Sequence, residues 1–132
     1  MPDPLALPVA GGWVVKYPWE RLPLSMNDRL HPMAKAKKTA AVRKAAAVAF
    51  AGVPAQERVR VEMIWWVNTR HRRDAENCVA TLKPWCDGLV DAGLVPDDTP
   101  EWMVKIMPEI RYAREVEAHV EFRVTYCVNR VS

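Results

Sequence analysis

Apolar and polar residues alternate with a period of two along two stretches of this chain, the pattern of a strand with one buried face. Between residues 59 and 67, Val59, Val61, Met63, Trp65 and Val67 share one face, while Arg58, Arg60, Glu62 and Trp66 take the other. Between 116 and 128, Val116, Ala118, Val120, Phe122, Val124, Tyr126 and Val128 alternate with Glu117, His119, Glu121, Arg123 and Thr125. Shorter apolar runs at 13–17 (WVVKY) and 102–107 predict two further strands. The pattern becomes helical over 33–51, an alanine-rich run with neither Pro nor Gly before Gly52. A second helix is expected from about Ala75 to Ala92. There Leu82, Trp85, Cys86, Leu89 and Val90 form an i, i+3, i+4, i+7, i+8 stripe that Cys78 and Val79 continue backward. Pro84 falls inside it, so either one helix kinks there or a new one is capped by Thr81; the kinked helix is favoured. Gly93 supplies the left-handed residue that ends it. Residues 1–12, rich in proline and closed by Gly11-Gly12, read as a flexible leader before a single domain over 13–132. The order β-α-β-α-β-β predicts an α+β fold, a mixed sheet with two helices packed on one face.

At 132 residues the chain suits one hydrophobic core, with half its residues apolar and 27% charged. The net charge of +3 conceals an asymmetry: residues 1–50 carry eight Lys/Arg against three Asp/Glu, and the remainder eleven against thirteen. A basic first part beside a more acidic second suits a polyanion surface next to a metal site. The three cysteines, Cys78, Cys86 and Cys127, make no C-x-x-C pair and are odd in number, so they are expected to pack as small apolar residues. The N-terminus lacks a basic region ahead of its short, proline-broken apolar run, and no stretch reaches the roughly 20 apolar residues of a membrane span. The expected location is the cytoplasm, with no membrane partner.

Candidate chemistry is concentrated in Arg70 to Asp98, RHRRDAENCVATLKPWCDGLVDAGLVPDD. Four basic residues, Arg70, His71, Arg72 and Arg73, precede the carboxylates Asp74 and Glu76, and a second acidic pair, Asp97 and Asp98, follows the predicted helix. Carboxylate oxygens are the hard ligands that Mg²⁺ or Mn²⁺ prefers, and arginine and lysine complement phosphate, so one segment holds both halves of a phosphodiester-cleaving centre. Asp74 and Glu76 converge if Asp74 still belongs to extended chain. Each carboxylate also has a plainer reading, since acidic residues favour helix starts and Asp-Asp after proline is common in turns. Lys83 and Asp87 are spaced for an i, i+4 pair. Trp65-Trp66 puts an aromatic on each side of its strand, for core or dimer packing in preference to stacking on bases.

The order RRD-x-E-N, a helix lysine, D-G-L-x-x-A-G and P-D-D resembles the RusA family of crossover junction endodeoxyribonucleases, dimeric enzymes common in phages and prophages. PLSMNDRLHPMAKAKKTAAVR is similar to that family's N-terminal pattern, and together the matches span about Tyr17 to Met107. The resemblance implies a Mg²⁺-dependent homodimer that resolves Holliday junctions in DNA recombination and repair, with Mn²⁺ as the other candidate ion. It assigns metal binding to Asp74, Glu76 and Asp98, and transition-state charge or phosphate positioning to Lys83. It also makes Asn27, Arg29, His31, Lys35, Lys38, Arg70, Arg72 and Arg73 candidates for DNA contact. Two departures stand out: Glu76 replaces the second aspartate of the best-known members, and the interval from Asp74 to Lys83 is three residues longer, close to one helical turn. Rival readings are a junction-binding module without cleavage, a metal-dependent nuclease for another branched nucleic acid, and an interaction protein whose acidic cluster is a solvated face.

Overall fold

The computed structural model describes residues 3–127. Along the chain run β1 (Leu7–Val9), β2 (Gly12–Tyr17), α1 (Pro32–Ala49), β3 (Val59–Val67), a single 3-10 turn (Ala75–Cys78) leading directly into α2 (Val79–Asp91), β4 (Met103–Lys105), β5 (Glu109–Tyr112) and β6 (His119–Tyr126). The sheet order is β1-β2-β6-β3-β4, with β5 also on β3. β4 and β5 run parallel to β3 and every other pair is antiparallel, so the sheet is mixed as the pattern predicts.

Register explains why both helices lie on one face. Val15 sits opposite Phe122, which sits opposite Met63, and Trp13, Val124 and Val61 form the neighbouring row. These side chains point the same way off the pleat. Upon them pack Val42, Ala45, Ala46 and Ala49 of α1 and Leu82, Trp85, Cys86 and Leu89 of α2, in one continuous core. Trp85 is at its centre, fully buried and stacked on Phe122 at 3.9 Å between ring centroids. Its indole N–H donates to the Tyr17 hydroxyl (3.1 Å), which in turn donates to the Ala45 carbonyl (3.2 Å), so a buried polar chain ties α2, β2 and α1 together. The helices approach closely at Gly88, where a Cβ would stand 2.1 Å from the Arg43 carbonyl oxygen.

Three expectations need correction. The leader expected over 1–12 contains β1, an edge strand on β2, and the Ala6 N–H donates to the Ala49 carbonyl. The strand expected over 102–107 is the first part of a broken edge: β4 pairs with Val59–Val61, Ile106 still donates to the Val61 carbonyl, and β5 resumes against Ile64–Val67. Pro108, with no N–H to give, falls in the break. The strand expected over 116–128 is β6, beginning at His119, while Val128 lies outside the described residues. β6 is also flanked by β2 and β3, so both of its edges are spent and it offers none to a second copy. Pro84 does sit inside a continuous helix, and Thr81, instead of capping a new one, is buried and bonded in both directions to Leu24. Gly93 closes α2 as expected, at φ +79, with Gly93 N–H on the Val90 carbonyl and Leu94 N–H on that of Leu89.

Candidate functional site

β3 delivers the chain to Val67, and the loop that follows carries the arginines to the start of the helical run. Asp74 is extended (φ −112, ψ 121) and its Oδ1 accepts the Glu76 N–H at 3.0 Å, so it caps the 3-10 turn. This is the plainer role weighed for it, and it leaves Oδ2 without a hydrogen bond among the described residues. Glu76 is exposed. Around Asp74 opens a cleft of about 290 Å³ lined by Arg72, Arg73, Asn77, Arg21, Leu22, Ser25, Asp28 and Trp65. Arg73 is braced by its own loop, donating to the Thr69 carbonyl (2.8 Å) and hydroxyl (2.7 Å), and its guanidinium lies 5.3 Å over the Trp65 ring. Arg70 lies 4.4 Å over Tyr112.

Lys83 makes a second centre. Its ammonium donates to Asp98 (2.6 Å) and to Asp87 (3.0 Å), so the i, i+4 pair and the link to the second acidic pair coexist. Lys105 of β4 donates to the same Asp98 oxygen at 2.7 Å. Hydrogen bonds from Lys105 and then Lys83 hold the Asp98 carboxyl well below the usual carboxylate range, and those to Asp98 and Asp87 push Lys83 up, so both stay charged at neutral pH. Asp97 accepts the Asp98 N–H and shapes the turn. Asp91, near the end of α2, is held by Arg43 through two hydrogen bonds (2.5 and 2.8 Å).

The loop before α1 joins the two centres. Its Leu24 is fixed to Thr81, its Met26 N–H reaches the Asn77 carbonyl, and Ser25 and Asp28 close a turn on each other. Ser25 and Asp28 line the Asp74 cleft and also a second one of about 410 Å³, shared with Leu24, Met26, Lys35, Thr39, Val79, Ala80, Lys83 and Pro84. Among the expected DNA contacts, Lys35 is thus beside Lys83, whereas Lys38 lines a different cleft with Tyr17 and Trp19. His31 caps α1, its Nδ1 accepting the Met33 N–H, and Asn27 and Arg29 are exposed on the loop.

The three carboxylates proposed as metal ligands are not brought together. Asp74 follows the end of β3, while Asp98 is bonded to Lys105, which pairs with Val61 near the beginning of β3. About 15 Å of helical rise separates Asp74 from Lys83. Among the described residues, no three His, Cys, Asp or Glu side chains form a group that could hold a metal ion. In kind the donors suit a hard cation, and Asp74 and Glu76 are near enough in sequence to share one; as a single three-carboxylate centre within one chain the set does not fit. The cysteines are free, Cys78 and Cys86 are buried, and burial pushes their thiols up to about 11 and about 12, which makes them packing residues and not nucleophiles.

Arg21 and Lys105 escaped the sequence reading. Lys105 carried one usable signal, a lone cation in a short apolar strand just after the acidic pair. Among the described residues, no helix is long and apolar enough to cross a membrane. Compared with known proteins, the chain matches no family model and no curated protein.

Proposed function

We propose that this chain is a divalent-metal-dependent endonuclease of the RusA type that resolves four-way DNA junctions by paired phosphodiester hydrolysis, as a cytoplasmic homodimer. The observation that carries this reading is the continuous surface from the arginine-lined cleft at Asp74, across Ser25 and Asp28, to the Lys83 cleft. Arginines lie on one side and Lys35 and Lys83 on the other of a carboxylate whose Oδ2 has no hydrogen bond among the described residues, and such cations complement phosphate. The spaced motif RRD-x-E-N, lysine, D-G-L and P-D-D supports it independently.

In this reading Arg72 and Arg73 orient the strand by its phosphates, and the brace on Thr69 holds Arg73 in place for that contact. Mg²⁺ or Mn²⁺ on Asp74 and Glu76 would supply Lewis-acid charge and a more acidic water. Lys83 provides fixed positive charge beside the strand, and Asp98, itself anchored by Lys105, sets where that charge stands. The second reading is a junction-binding module without cleavage, favoured by the distance between the two centres and by the two ammonium groups that already neutralise Asp98. Incubating the protein with a labelled four-way junction, with Mg²⁺ or with EDTA, separates the two: symmetric nicks with Mg²⁺ support the nuclease, and binding without nicks supports the module. Competition by flap DNA and by structured RNA identifies the branched substrate.

A further inference from the structure

Trp65 presents an unmet need. Its indole N–H is buried and has no hydrogen-bond partner, the one such side-chain atom among the described residues. Buried donors are normally satisfied, because desolvating an N–H without replacing its bond to water is costly. Trp65 forms part of the wall of two neighbouring clefts, the one at Asp74 and another of about 290 Å³ lined by Glu20, Arg21, Val67, Asn68, Thr69, His71, Arg73 and Ala118. Arg21, Trp65 and Arg73 belong to both. Arg21 is exposed and makes no ion pair or hydrogen bond among the described residues, unlike Arg73, whose outer nitrogens are engaged by Thr69 while its guanidinium carbon lies 5.3 Å over the Trp65 ring.

We propose that Arg21, Arg73 and the Trp65 N–H form a subsite for a non-scissile phosphodiester of a nucleic-acid strand whose neighbouring phosphate lies at Asp74. The chemistry selects an anion with several acceptor oxygens: one oxygen accepts from the indole, while Arg21 supplies a free planar fork that suits a phosphate bidentately. A strand is favoured over a lone anion because the subsite opens directly into the Asp74 cleft, where Arg72 awaits the next phosphate. The inference rests on the nuclease reading for its ligand class, but it makes a claim about binding that holds without catalysis.

The test is a proton–nitrogen NMR titration in EDTA with a thymidine tetranucleotide, with inorganic phosphate and free thymidine as separate arms. The chain has six tryptophans, and Trp65→Phe, which keeps a ring and removes the N–H, identifies the Trp65 indole signal by its loss. The proposal expects that signal to shift saturably with the tetranucleotide, more weakly with phosphate and not with thymidine. Arg21→Ala, a change at an exposed side chain, should weaken tetranucleotide binding about tenfold. A Trp65 signal that stays in place while other signals report binding would overturn the proposal. So would a shift produced equally by thymidine, phosphate binding as tightly as the tetranucleotide, or an Arg21→Ala affinity unchanged from wild type. A protein that passes this titration yet leaves junctions uncut retains the subsite and loses the nuclease reading.

Discussion

At the scale of single residues, Lys83 is the most exposed test of the account. It holds Asp98 and Asp87 at once, and its raised pKa keeps it cationic. If that charge acts on the transition state, Lys83→Ala should lower turnover by about a hundredfold while junction affinity changes less than about threefold. Equal losses in both, measured by single-turnover cleavage and by binding in EDTA, would make it an ordinary phosphate contact. Tyr17 offers a prediction about stability. Burial pushes its hydroxyl up to about 12, so the folded state keeps the proton that the unfolded chain releases near its ordinary value of 10.0. The Tyr17 contribution is therefore intact below about pH 10 and falls as the pH rises from there towards 12, on top of the loss that the raised Cys78 and Cys86 thiols begin near their ordinary value of 9.0. Tyr17→Phe should make the alkaline fall shallower above about pH 10, leaving the part due to Cys78 and Cys86, while destabilising the protein by about 1–3 kcal/mol at neutral pH because the Trp85 N–H loses its acceptor. Urea melts at pH 8 and above pH 10 measure both. Which residues were legible in the sequence follows from where their partners lie. Asp74, Arg72 and Arg73 are contiguous and their cleft was readable; Arg21 reaches them from a loop some fifty residues earlier, and Lys105 finds Asp98 only because β4 is laid against β3.

At the scale of elements, α1 and α2 meet in close contact at Gly88. A methyl group there would meet backbone, 2.1 Å from the Arg43 carbonyl oxygen, and backbone cannot swing aside as a side chain does. Alanine would gain about 1 kcal/mol of helix propensity, but prying two helices apart costs about 1–3 kcal/mol or more, so the clash wins. Gly88→Ala should lower the melting temperature and loosen the Arg43–Asp91 pair one turn away; an unchanged or raised melting temperature would contradict the packing described. The same contrast governs which elements the sequence revealed. β3 and β6 were legible because Val59, Val61, Met63 and Val67, and likewise Val120, Phe122 and Val124, recur at even spacing on a core face. β1 and β5 were not: each has three or four residues on an edge, and neither contains a buried residue to mark it. α2 was legible through its stripe and its Gly93 end despite Pro84, since packing of Leu82, Trp85, Cys86 and Leu89 outweighs one missing helix bond.

At the scale of the whole molecule, the separation of Asp74 from Asp98 meets the symmetry of the proposed substrate. A four-way junction is two-fold symmetric and its resolution needs a matched pair of nicks, so one chain with one Asp74 cleft is insufficient and a C₂ dimer supplies two. Because both edges of β6 are occupied, the proposed dimer would have to form through other surfaces than a β6-to-β6 ladder. Light scattering at assay concentration is expected to give twice the 15.0 kDa chain mass, and a monomer mass that persists on adding junction DNA would contradict paired resolution. The central claim, that the cleft at Asp74 cuts junction DNA, is tested most directly by the Asp74→Asn variant on a labelled four-way junction in Mg²⁺, with binding followed in parallel. The change removes a ligand charge along with its repulsion of DNA phosphates. The account predicts symmetric nicks by the wild type, cleavage nearly abolished in the variant, and junction binding that is unchanged or tighter; nicking by Asp74→Asn at close to the wild-type rate would contradict it.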